Sequence, residues 1–157
     1  MSPVSASRVG VVDYDKILSE ATPFVDAAKV FSEKRDQFYK ELGELEKTLS
    51  VENKALMSLR KSDPQKFPEA QEAFEKKLKA AHEKLSARKK TLVSLAEKEQ
   101  SQAHMLFQKA LKRVAEQNNI QLILPTNMMS TTFVLYSDQK LDLTNQVIAI
   151  LGTKEAP

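Results

Sequence analysis

Two apolar stripes of one period, on either side of a proline-bearing turn, constrain this chain most. The first runs Phe31, Phe38, Leu42, Leu45, Leu49, Leu56 and Leu59, in steps of seven, four, three, four, seven and three, interrupted at Arg35 and Glu52. The second runs Phe74, Leu78, Ala81, Leu85, Leu92 and Leu95, in steps of four, three, four, seven and three, interrupted at Arg88. Both fit a heptad register. Matched registers flanking Ser62–Pro68, with Pro64 and Pro68 inside it, predict two long helices folded back as an antiparallel coiled-coil hairpin. Each stripe then buries the other. A well-buried Leu contributes about 1.5–3 kcal/mol, enough for paired stripes to hold the hairpin. The polar interruptions, and Gly43, are expected to loosen it locally.

The first long helix is expected from about Pro23 to Lys61 and the second from about Pro68 to Gln117. Thr22 reads as a cap with Pro23 in the first helical position. Ser62 with Gln65 has the capping-box spacing, and Phe67 is expected to pack across the tip. After Leu95 the second stripe widens to Ala103, Leu106, Phe107, Ala110, Leu111 and Val114, a face broad enough to pack on a body. Asn118-Asn119 reads as the helix stop.

The two ends of the chain carry the strand signals. Arg8–Val12 is apolar and β-branched, Ile120–Leu124 partly alternates, and Thr131–Tyr136 reads as a further strand. A last helix is expected over Asn145–Leu151, closed by Gly152, with Thr153–Pro157 fraying. An isolated hairpin is marginal in water, so the first strand is expected to pair with the later two in one three-stranded sheet. The fold class is therefore mainly α with a small β body: residues 8–22 and 118–152 form the body, and 23–117 form a helical arm with its tip at 62–68. So small a body buries little core and invites oligomerisation. The surfaces expected to carry it are Val9, Val11, Leu122, Leu124, Phe133 and Leu135.

Charge is uneven. The net charge is +3, but Lys76, Lys77, Lys79, Lys84, Arg88, Lys89 and Lys90 stand against Glu83 alone, so this block carries +6 and the remainder about −3. Such a block suits an anionic partner such as nucleic acid, phospholipid or lipopolysaccharide, or else is simply a solvated helix face. Nucleic acid is not expected: the block has no aromatic side chain for stacking, and Glu69, Glu72 and Glu75 precede it.

Catalytic patterns are nearly absent. Asp13 and Asp15 follow an apolar strand, as in haloacid-dehalogenase-like phosphatases, but Lys16-Ile17 do not continue that motif and no alternating strands and helices follow. Capping of the next helix is the better reading of the two aspartates. His82 and His104 lack metal-ligand spacing, there is no Cys, and no phosphate-binding loop occurs. Met128-Met129 reads as packing in a loop. No cofactor and no enzymatic activity are expected. No apolar run of 18 residues exists, and Met1–Ser7 lacks a signal-peptide pattern, so the chain is expected either to be cytoplasmic or to be a mature form.

Three pieces in this order resemble the Skp/OmpH family of periplasmic chaperones: Val9–Leu18; the charged two-helix arm; and Ile120–Leu124 with Phe133–Tyr136 and Leu141–Thr144 before the last helix. The segment Pro125–Thr132 is longer than the family's usual connection. The resemblance implies a homotrimer whose β-rich body holds three helical arms around a cavity. It further implies an ATP-independent holdase in the periplasm that carries unfolded outer-membrane proteins, with lipopolysaccharide or anionic phospholipid as further partners. The rival expectations are a structural coiled-coil spacer or adaptor, which would not suppress aggregation, and, weaker still, sequence-nonspecific nucleic-acid binding through the basic helix.

Overall fold

The computed structural model describes residues 8–153; the expected fraying beyond Thr153 and the reading of Met1–Ser7 lie outside the described residues. The protein is mainly helical with a small β body. Its chain divides into two compact units, Met1–Lys29 with Glu97–Pro157, and Val30–Ala96.

The first unit starts with β1 (Val9–Val12) and α1 (Tyr14–Glu20). Asp13 caps α1: its carboxylate accepts the Lys16 N–H at 3.0 Å. α2 (Thr22–Ser62) begins directly after Ala21, whose carbonyl accepts the N–H groups of Phe24 and Val25. Thr22 is thus the first helical residue rather than a cap outside it. α3 (Phe67–Asn118) ends at Asn119, which adopts φ 54. There the Ile120 N–H reaches the Ala115 carbonyl at 2.8 Å and the Asn119 N–H reaches Glu116 at 3.3 Å, the bonds of a Schellman stop. The Asn118 amide adds bonds to the Val114 carbonyl and Gln146, both 2.8 Å.

β2 (Leu122–Pro125) pairs with β1 in parallel, Val9 opposite Leu122 and Val11 opposite Leu124. β1 also bridges Asp142, and the Leu143 N–H donates to the Val11 carbonyl at 2.9 Å. β3 (Asn127–Met128) and β4 (Thr131–Thr132) form a separate antiparallel pair. The single three-stranded sheet expected from sequence is therefore replaced by two two-stranded pairs. The expected strand Thr131–Tyr136 stops at Thr132: the Phe133 and Val134 N–H groups turn to the Thr126 carbonyl, and no ladder continues beyond them. After a 3₁₀ turn at Gln139–Leu141, α4 (Thr144–Gly152) closes the unit.

The core of this unit gathers Val12, Ile17, Ala21, Phe107, Ala110, Val114, Leu143, Val147 and Leu151. Tyr14 and Phe24 meet the Phe107 ring edge-on, with centroids at 5.4 and 6.1 Å. Ile17, Val114 and Val147 are fully buried, each worth about 1.5–3 kcal/mol of apolar transfer. Buried Thr144 ties the strand to the last helix, since its hydroxyl accepts the Asp13 N–H at 2.9 Å and donates to Asp142.

In the second unit, α2 and α3 run antiparallel. Lys77 pairs with Glu52, and Arg88 pairs with Glu41 at 3.3 Å. From the second pair to the first, α2 advances from 41 to 52 while α3 falls back from 88 to 77, eleven residues each, so both pairs obey one register. The seam is thin: Leu56 and Ala81 are buried, while Phe38, Leu42, Leu45, Leu49, Phe74, Leu85, Leu92 and Leu95 are half-buried. At the tip, Asp63 takes the part expected of Ser62. Its carboxylate accepts the Lys66 N–H and pairs with the Lys66 ammonium at 3.3 Å, whereas the Ser62 hydroxyl turns back to the Ser58 carbonyl. Phe67 opens α3, and the Arg60 guanidinium lies 5.6 Å above its ring.

Candidate functional site

The basic block does not form one face. A helix turns once per 3.6 residues, so Lys77, Lys84 and Arg88, spaced seven and four apart, follow the seam side of α3. Lys76, Lys79 and Lys90 lie on the opposite side. Three of the seven cations are paired: Lys76 with Glu72 at 2.6 Å, Lys77 with Glu52, and Arg88 with Glu41. Glu52 and Arg88, which interrupt the heptads in sequence, are therefore halves of cross-hairpin ion pairs rather than loose points. Exposed pairs of this kind contribute about 0.2–1 kcal/mol each. Lys79, Lys84, Lys89 and Lys90 have no ion-pair partner among the described residues. Among the described residues Arg35, the third interruption, bonds to its neighbours Asp36 and Ser32.

The expected oligomerisation residues separate by burial. Val11 is 3% exposed and belongs to the chain's own core, so it offers nothing to a partner surface. Val9 is half-buried. Leu122 and Leu124 alternate outward along β2, at 50% and 39% exposure. Phe133 is 54% exposed and Leu135 96%, with Tyr136 beside them. Met129, read from sequence as packing, stands almost fully exposed instead. Its position follows from an interaction that sequence reasoning missed. The Asp15 carboxylate accepts the backbone N–H groups of Met129 and Ser130 at 2.8 and 2.9 Å. Both residues adopt the left-handed conformation, φ 53 and 60. Their two amides form a small anion-binding nest, and the chain fills it with its own aspartate. With Asp13 held as a cap, neither aspartate of the phosphatase-like pair is free for chemistry.

Among the described residues, no group of His, Cys, Asp and Glu is placed to hold a metal ion, and no helix is long and apolar enough to cross a membrane. What the hairpin unit offers is grooves. One of about 140 Å³ runs beside Phe38, Leu92 and the Glu41–Arg88 pair. Two more, about 500 and 480 Å³, are both lined by Leu56 and Phe74. The body unit has its own groove of about 350 Å³, floored by Ala110 and Leu151 and edged by Asp26, Lys109 and Arg113. These surfaces can hold apolar groups and screen them from water.

A long antiparallel helical hairpin and a small α/β body whose apolar side chains stand on open surfaces define the architecture. The chain belongs to the family of OmpH-like outer membrane proteins, whose model matches residues 8–151. The fold is shared with a crystallised protein of Caulobacter crescentus CB15, provisionally classed as an OmpH-like outer membrane chaperone. The two superpose with a TM-score of 0.78 at 17% identity, over 93% of this chain and 84% of the other. Among curated proteins, no sequence matches significantly.

Proposed function

We propose that this protein is an ATP-independent holdase chaperone of the periplasm that binds unfolded outer-membrane proteins and prevents their aggregation. The observation that carries the reading is apolar surface left uncovered on a chain of the OmpH-like family: Tyr39, Val51, Met57 and Val93 stand open on the hairpin unit, apart from the exposed Phe133 and Leu135 of the body. Large exposed apolar groups mark interaction surfaces. Family membership supports the periplasmic part of this reading, and Asp13 and Asp15 are both engaged in internal bonds.

In this reading the body unit forms a homotrimer through Leu122, Leu124, Phe133 and Leu135, with Val9 at the margin. The β2 backbone edge and the apolar side chains beside it are the surfaces that association covers. The hairpins carry client, helped by the basic block. Lys79, Lys84, Lys89 and Lys90 supply unpaired charge for acidic client segments or anionic lipid headgroups, and Lys76, Lys77 and Arg88 contribute once exchanged from their glutamates. Sedimentation of the protein with a denaturant-unfolded outer-membrane β-barrel, diluted together without nucleotide, tests the reading. Co-sedimentation of soluble client with an oligomer is expected. A strict monomer that leaves the client in the pellet would overturn it.

A further inference from the structure

We infer that the tip-ward part of the hairpin carries a two-sided apolar clamp, centred on Leu56 and Phe74, that takes uncharged apolar stretches of an unfolded polypeptide. The inference rests on the holdase reading above and locates its grip. Leu56 and Phe74 line both of the larger grooves, so the two hollows share one ridge along the seam. On one flank the walls are Ala55, Ala70 and Ala73, with Leu59 beyond them. Alanines stand where larger side chains would have closed the seam, and the space they leave measures about 500 Å³. On the other flank Met57 and Leu78, 45% and 43% exposed, edge a hollow of about 480 Å³. Each volume falls in the range of about 300–1,000 Å³ that holds a bound small ligand or a few side chains.

Charge decides the occupant. The first groove has one cation and one carboxylate on its rim, Lys77 and Glu52, and these are bonded to each other. The second has Arg60 and Glu75, one of each sign, and the Arg60 guanidinium is laid over the Phe67 ring. Neither hollow presents net charge, so an acidic segment or a phosphate gains nothing there. An apolar stretch of extended chain gains burial on both flanks of one ridge. The balanced rim charges, bonded to each other at the first groove, also distinguish this site from the unpaired Lys79 and Lys90, which lie away from the seam on α3.

The test fills each hollow without removing the ridge. Ala73→Phe occupies the first groove from an exposed wall position, and Met57→Glu places a charge at the mouth of the second. Lys79→Glu with Lys90→Glu serves as the outward-face control. Binding of a fluorescent soluble peptide of alternating leucine and serine, and of an unfolded outer-membrane β-barrel, is measured across a salt series, with helicity checked by circular dichroism. Each groove variant is expected to bind the peptide about tenfold more weakly, the size of loss typical when a buried anchor is removed. The control should match the parent protein, and peptide affinity should not fall with salt. Unchanged peptide binding by both groove variants, or an affinity lost with salt, would overturn the clamp. In that case the parent protein would still hold the β-barrel in solution; a parent protein that fails to hold it overturns the holdase reading instead.

Discussion

The same substitution, glycine to alanine, is expected to have opposite effects at two positions, and the structure supplies the reason. At Gly10 in β1, an added Cβ would lie 2.3 Å from Leu143 Cδ1 and 3.1 Å from its Cγ. Carbon atoms pack at about 3.5–4.0 Å, so Leu143 has to move by more than an ångström. It has little freedom to do so. Leu143 is 4% exposed, its N–H is bonded to the Val11 carbonyl at 2.9 Å, and it packs in the same core as Val147 and Leu151. Overpacking of this kind costs about 1–3 kcal/mol. At Gly43, inside α2, an added Cβ meets nothing within 4 Å. There only helix propensity changes, which favours Ala by about 0.8–1 kcal/mol. Urea unfolding at fixed protein concentration reads both. The near-ultraviolet signal of Tyr14, packed on Phe107, follows the first unit, and far-ultraviolet helicity follows the hairpin. With a slope of about 1–3 kcal/mol/M, the Gly10→Ala midpoint should fall by roughly 1 M, and that of Gly43→Ala should rise by a fraction of that. A neutral Gly10→Ala, or a destabilising Gly43→Ala, would refute the packing argument.

Other expectations follow from the same contacts. A double-mutant cycle on Glu52 and Lys77 should give a coupling of about 0.2–1 kcal/mol at low salt. That coupling should fade toward 1 M salt, where the screening length is about 3 Å; a coupling of zero at low salt would remove the cross-hairpin pair from the stability of the arm. Leu135→Asp should leave the fold of the chain intact, because that side chain is 96% exposed, while shifting any oligomer toward monomer in sedimentation. An unchanged mass distribution would exclude Leu135 from the interface. Amide exchange should be fastest around Asp63–Lys66 and slow through α4 and the end of α3, since the hairpin seam is half-buried and the core of the first unit is closed. Uniform protection along α3 would contradict this.

The hairpin was legible because its signal is local and repeated. The heptad steps of Phe31–Leu59 and Phe74–Leu95 place the seam residues without knowledge of the partner, except Leu78, which stands 43% exposed at the edge of the seam. What they could not supply is the meaning of the gaps. Glu52 and Arg88 look like defects until the register sets them opposite Lys77 and Glu41. The same limit governs the body. The run Thr131–Tyr136 has the β-branched and aromatic composition of a strand, but composition does not provide a neighbouring strand, and the backbone after Thr132 finds none. The parallel pairing of β1 with β2, and the bonds from Asp15 to the amides of Met129 and Ser130, join residues more than a hundred positions apart. Val11 shows how this misleads a surface assignment: an apolar residue on a short strand fits a partner interface or the chain's own core equally well, and only its burial in the folded chain, at 3% exposure, decides for the core. At the tip, Ser62 and Asp63 both had capping chemistry, and the helix ran one residue further than the proline spacing suggested.

The central claim is that exposed apolar surface on this chain keeps unfolded outer-membrane proteins soluble without an energy source. Light scattering during dilution of a urea-unfolded β-barrel, with and without a stoichiometric excess of the protein and with no nucleotide present, measures it directly. Scattering should be abolished or greatly delayed, with the client retained in an unfolded, soluble complex. Aggregation at the same rate and to the same extent, whether or not the protein is present, would contradict the account.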